Sequence, residues 1–192
     1  MKNEFKKRLL TSFLIVPLSF FFIIKGSFFF IFFLSIVFLI SIYEWIKITK
    51  NFNTSKITGV IFIFFSIYAA YLFRNDQGVN IFIFIIVISI FTDLGGYIFG
   101  KIFKGPKLTK ISPNKTYTGM IGSYFLSILF ISLYFHEINR ETTIAWLTIT
   151  ILISSVSQIG DIVISYFKRL SKLKNTGNII PGHGGILDRI DG

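Results

Sequence analysis

Residues 27–46 read SFFFIFFLSIVFLISIYEWI, an apolar run whose only charged residue is Glu44. At about 1.5 Å rise per residue, a helix of this length crosses the roughly 30 Å hydrocarbon core of a bilayer. Backbone N–H and C=O groups find no water there, so a crossing segment of this kind must be helical. Similar runs at 9–24, 57–73, 79–100, 117–135 and 143–167 bring the expected spans to six. The expected fold is therefore an all-α, polytopic integral membrane helix bundle, a single domain over residues 1–192. Composition agrees, with 53% hydrophobic residues, 25 Phe and only 15% charged residues, far from a soluble average. The absence of cysteine excludes disulfides, thiolate metal sites and a cysteine nucleophile. The first run lacks a small-residue cleavage site and is followed at once by a second, so it reads as a span and not as a signal peptide.

A net charge of +11 would suggest nucleic acid in a soluble chain. Here its distribution gives another answer. Seventeen of the 20 basic residues fall at the N-terminus (Lys2, Lys6, Lys7, Arg8), in the second and fourth connections (Lys47 to Lys56, Lys101 to Lys115) and in the tail (Lys168 to Arg189). The other connections hold only Lys25, Arg74 and Arg140. Basic residues collect on the cytoplasmic side of membrane proteins, which places both termini in the cytoplasm and expects no nucleic-acid partner. A bacterial inner membrane is the expected location.

Against this apolar background the polar positions stand out. Glu44 and Trp45 lie near the cytoplasmic end of the second span, the acid expected to pair with a loop lysine in preference to the alternative of a role in the site, and the indole to anchor at the interface. Asp93 lies eight residues before Lys101, about 12 Å below the helix end. Asp161 lies six residues before Phe167, about 9 Å below its own. Ionisable groups at such depth are expensive unless paired or hydrated, and are functional candidates by default. Gly119 and Gly122 open the fifth span with small residues suited to tight packing. Between the fourth and fifth spans, Ser112-Pro113-Asn114-Lys115-Thr116 joins hydroxyls and a lysine to a helix start, a combination that suits a phosphate but also describes an ordinary cap.

The tail concentrates the rest. Ser157, Asp161, Ser165 and Lys168 share one helical face. Arg169, Lys172 and Lys174 follow, then a compact loop Pro181-Gly182-His183-Gly184-Gly185, then Asp188-Arg189-Ile190-Asp191. Oxygen-only ligands suit a hard cation such as Mg²⁺, usually held by one or two carboxylates plus substrate phosphates. Asp161, Asp188 and Asp191 are the metal candidates. For Asp191 a salt bridge with Arg189 is an equal alternative. His183 fits a ligand, a phosphate donor or a loop-stabilising group, and the sequence does not choose among them.

These motifs resemble the phosphatidate cytidylyltransferase (CDP-diacylglycerol synthase) family. The resemblance is carried by Asp93…Gly96-Tyr97…Phe99-Gly100-Lys101, Ser112-Pro113-Asn114-Lys115-Thr116, Gln158-Ile159-Gly160-Asp161, Ser165…Lys168-Arg169 and Pro181 to Asp191. It implies transfer of CMP from CTP to phosphatidate near the cytoplasmic interface, with pyrophosphate released and CDP-diacylglycerol formed. It implies Mg²⁺ as cofactor, with room for a second cation such as K⁺, and leaves room for a homodimer. In that reading Asp161, Lys168, Arg169, Lys174 and Asp188 form the catalytic set. Ser112, Lys115, Thr116, His183, Gly184, Gly185, Arg189 and Asp93 bind substrate and its phosphates. Two departures are notable: Asn175 stands where the family has an acid, and family members usually continue past Gly192 into another membrane helix. The alternatives are a relative that is inactive or acts on another phosphorylated lipid, and a transporter using Asp93 and Asp161 for cations or protons. A transporter would favour internal repeats, and the sequence has none.

Overall fold

A computed structural model describes residues 2–109, 111–112, 115–137, 143–182 and 184–192, with side chains from Leu10 onward. Six long helices follow one another: α1 (Lys2–Lys25), α2 (Ser27–Ile48), α3 (Asn53–Gln77), α4 (Val79–Phe103), α5 (Tyr117–Glu137) and α6 (Ile144–Leu170). A single short turn, α7 (Leu187–Ile190), closes the tail. Outside the helices, the described residues add two isolated bridges, Lys107 with Thr116 and Ile180 with Gly184. The chain is an all-α, polytopic membrane protein.

Each of the six expected runs falls on one of these helices, the last starting one residue before α6, and most helices extend past them. α3 starts at Asn53 and not at 57, because helical hydrogen bonding continues through Asn53-Thr54-Ser55-Lys56 after hydropathy has stopped. Among the described residues, five helices, α2 to α6, are long and apolar enough to cross a membrane. The sixth expected span lies on α1, which runs from Lys2 to Lys25. Its apolar part includes Leu10–Lys25, and Lys2, Lys6, Lys7 and Arg8 precede that part in the sequence.

The chain divides into two compact units, Met1–Phe82 with Phe167–Ile190, and Ile83–Tyr166 with Asp191–Gly192. In the first unit α2 packs against α1, α3 and α7. Trp45 is buried there. Its indole N–H is directed at the carbonyls of Ser55 and Lys56, its ring meets Phe167 edge-on, and Gly59 leaves the space it fills. An indole with a buried polar edge needs such an acceptor. Arg74 closes the far end of this unit. Its guanidinium donates to the carbonyls of Ile23 and Ile24 at the end of α1 and lies over the Phe30 ring.

In the second unit α4 and α5 come into backbone contact. A Cβ on Gly95 would strike the carbonyl of Gly122, and Gly119 lies against Gly96 and Gly100. Small residues allow this approach, as they do between membrane helices generally. The Ser123 hydroxyl then donates to the Thr92 carbonyl at 2.7 Å, and Tyr124 meets Ser155 of α6 at 2.9 Å.

Candidate active site

In the first unit the functional side chains gather around the loop between α6 and α7. Lys168, in the last turn of α6, lies 2.7 Å from Asp188 Oδ1, with only 12% and 9% of the two side chains exposed. The other oxygen, Asp188 Oδ2, receives the Thr176 N–H at 2.9 Å, the Thr176 hydroxyl at 3.1 Å and the Gly185 N–H at 3.1 Å. Burial pushes the Asp188 carboxyl up. The Lys168 hydrogen bond, the Gly185 and Thr176 N–H groups and the Lys168 charge outweigh it and hold the group below the usual carboxylate range. Arg169 and Lys174 are exposed beside this cluster, and Arg169 reaches the Leu173 carbonyl. Arg189 is exposed on α7.

The glycine loop is built around carboxylates of the protein itself. The Gly185 N–H donates to Asp188, and Gly184 pairs its carbonyl with the Ile180 N–H. A Cβ on Gly185 would collide with Thr176 Oγ1 and the Glu44 carboxylate, so only glycine fits there. Asn175 packs against Gly184, close to Asp188 Oδ2. A neutral amide here adds no second negative charge beside Asp188. His183 lies outside the described residues.

Sequence reasoning missed the residue that holds this loop. Glu44 was expected to pair with a loop lysine. It is instead fully buried and accepts the Thr176 hydroxyl at 2.8 Å, the Leu187 N–H at 2.9 Å and the Ile186 N–H at 3.1 Å. A buried carboxylate requires donors, and neutral ones serve as well as a cation where several converge. A lone acid at the end of an apolar run was the only signal.

In the second unit, Lys115 Nζ lies 2.5 Å from Asp161 Oδ2, with 22% and 36% of the side chains exposed. Ser165 also reaches Asp161, at 3.4 Å. Thr116 caps α5: its hydroxyl accepts the Gly119 N–H at 3.1 Å and meets the Thr118 hydroxyl at 3.0 Å. The Ser112 carbonyl accepts the Lys115 N–H at 3.0 Å, which turns the loop into α5. Pro113 and Asn114 of the same motif lie outside the described residues. Asp93 is exposed on α4 and lies beside Gly192, while the backbone of Asp191 rests against Gly160 of α6.

A model of the Cytidylyltransferase family matches residues 51–192. The chain belongs to this family. Similar curated proteins include the phosphatidate cytidylyltransferase of Staphylococcus aureus (strain COL), 42% identical over 120 residues that make up 61% of this chain and 46% of the relative. The phosphatidate cytidylyltransferase of Staphylococcus haemolyticus (strain JCSC1435) is 40% identical over 136 residues, 69% of this chain and 50% of the relative. That of Staphylococcus epidermidis (strain ATCC 35984) is 41% identical over 120 residues, with 61% and 46% covered. The chain spans about half the length of the curated relatives it matches.

Each unit thus holds one lysine–aspartate pair, a cation beside an acid. The acids differ in their remaining capacity. A carboxylate offers about four lone-pair positions, and Asp188 already receives four donors. Asp161 receives Lys115 and Ser165 and is more exposed. No group of three or more His, Asp or Glu side chains comes together among the described residues. Mg²⁺ needs only one or two carboxylates when phosphates supply other ligands, and Asp161 fits that requirement.

Proposed function

We propose that this membrane protein transfers CMP from CTP to phosphatidate, giving CDP-diacylglycerol and pyrophosphate. Family membership and the named activity of its relatives support the reaction class. The observation that carries the reading is the Lys168–Asp188 pair seated on the glycine loop, with Arg169 and Lys174 exposed beside it. A phosphatidate phosphate oxygen attacks the α-phosphorus of CTP. A new P–O bond forms as the bond to the bridging oxygen of pyrophosphate breaks, and pyrophosphate leaves with the electron pair. Such transfers ask for alignment and charge neutralisation more than for covalent help.

Lys168, Arg169 and Lys174 offset the charge that grows on pyrophosphate. Lys115 and Ser112 hold substrate phosphate, and Thr116 sets the helix start beside them. Asp161 is the residue proposed to hold Mg²⁺. When bound, that ion lowers the repulsion between two anionic substrates. The lysine-rich loops favour the inner membrane with both termini in the cytoplasm, where CTP is found.

Purified protein incubated with labelled CTP, Mg²⁺ and a panel of phospholipids tests the reading. Labelled CDP-diacylglycerol with equimolar pyrophosphate, formed with phosphatidate only, is the expected result. Pyrophosphate release with a different lipid would reassign the acceptor. No release with any of them would remove the transferase reading.

A further inference from the structure

The loop that carries Asp188 takes its shape from a residue far outside the tail. Glu44 of α2 has no exposed surface, and it lies before the segment 51–192 that matches the family model. Its three partners all come from the tail: the Thr176 hydroxyl and the N–H groups of Ile186 and Leu187. Gly177 and Gly185 both lie where a Cβ would strike its carboxylate. The loop is thus wrapped on Glu44 at close range from two sides.

Thr176 connects this anchor to the lysine–aspartate pair. Its hydroxyl is 2.8 Å from Glu44 Oε2 and 3.1 Å from Asp188 Oδ2, and its own N–H donates to the same Asp188 oxygen at 2.9 Å. A hydroxyl has one proton, so it serves the two carboxylates in turn, while its N–H keeps Asp188 in place. Asp188 in turn orients the Lys168 ammonium at 2.7 Å. We propose that Glu44, acting through Thr176, is a positioning residue for nucleotidyl transfer: it sets where Asp188 and Lys168 meet the phosphates without touching substrate itself. This inference rests on the transferase reading.

The chemistry dictates informative substitutions. In Glu44→Gln one side-chain oxygen becomes an NH₂. Turned one way the amide faces the Ile186 N–H, and turned the other way it faces the Leu187 N–H, so one donor is always opposed by another. Thr176→Val keeps the shape and removes the hydroxyl, whereas Thr176→Ser keeps the hydroxyl. Because small displacements of aligned groups reduce the chemical step strongly, kcat per folded protein should fall roughly tenfold or more in Glu44→Gln and Thr176→Val. KM for CTP should stay within about threefold, and Thr176→Ser should remain near wild type.

CTP:phosphatidate transfer is measured on each purified full chain, normalised to the folded fraction from detergent size-exclusion and thermal melting. Unchanged kcat per folded protein in both variants would overturn the positioning role and leave the transferase reading intact. So would a loss confined to KM, or a Thr176→Ser as impaired as Thr176→Val. A wild-type protein that transfers nothing from CTP would overturn both.

Discussion

The Thr176 hydroxyl lies 2.8 Å from a carboxylate oxygen of Glu44, across 132 positions of sequence. This contact joins the end of the second helix to the tail, and through Thr176 to Asp188. The stability of the tail and the chemistry proposed for it therefore share the same groups.

Asp188→Asn should show the stability side of that sharing. The Lys168–Asp188 pair is nearly buried, and removing one partner of such a pair costs about 3 kcal/mol. Its pH dependence follows from the lowered Asp188 carboxyl. The contribution is present above the unfolded value of about 4 and is lost as pH falls through the lower folded value. Thermal melts in detergent should show a gap between wild type and Asp188→Asn that is constant from about pH 5.5 to 7.5 and narrows below about pH 4. A gap of equal size at both ends of the range would contradict the assignment.

Lys115→Ala should separate stability from chemistry. The Lys115–Asp161 pair is part-exposed, with 36% of the Asp161 side chain accessible, and screening limits such a pair to roughly 1 kcal/mol or less. Transfer from CTP should nevertheless fall by about a hundredfold, because the phosphate loses a positioned cation. Steady-state kinetics beside a melting curve decides. A drop in melting temperature with full activity would assign Lys115 to structure alone.

Removal of divalent cations should abolish transfer, and Mg²⁺ should restore it. In Asp161→Asn the Mg²⁺ concentration for half-maximal rate should rise by roughly tenfold or more, since a carboxamide is a weaker ligand for a hard cation. A titration of rate against Mg²⁺ measures this. An unchanged half-saturation point would exclude Asp161 as a ligand.

Gly185→Ala tests how tightly the loop is seated. The added methyl would overlap Thr176 Oγ1 and the Glu44 carboxylate, so the loop must move away from α2. Limited proteolysis should cut the segment 176–187 faster than in wild type, and transfer should fall by more than about tenfold. Equal cleavage rates and equal turnover would show that the loop has room to spare.

Much of this protein was legible before any coordinates. Apolar runs of bilayer length, with helix obligatory where water is absent, marked α2 to α6, with ends off by up to four residues. The Gly-His-Gly-Gly tail with its acids marked the region where Lys168 and Asp188 meet. These signals are local, because hydropathy and charge act on a segment whatever it later packs against.

Partner choice is different in kind. Nothing in the spacing of residues says that Lys115 takes Asp161 while Lys168 takes Asp188. Glu44 offers the sharpest case. Its charge suggested a lysine, but its partners are a hydroxyl and two backbone N–H groups, which every stretch of chain contains. Such donors have no compositional signature, and only the packing of α2 against the tail brings them to one carboxylate.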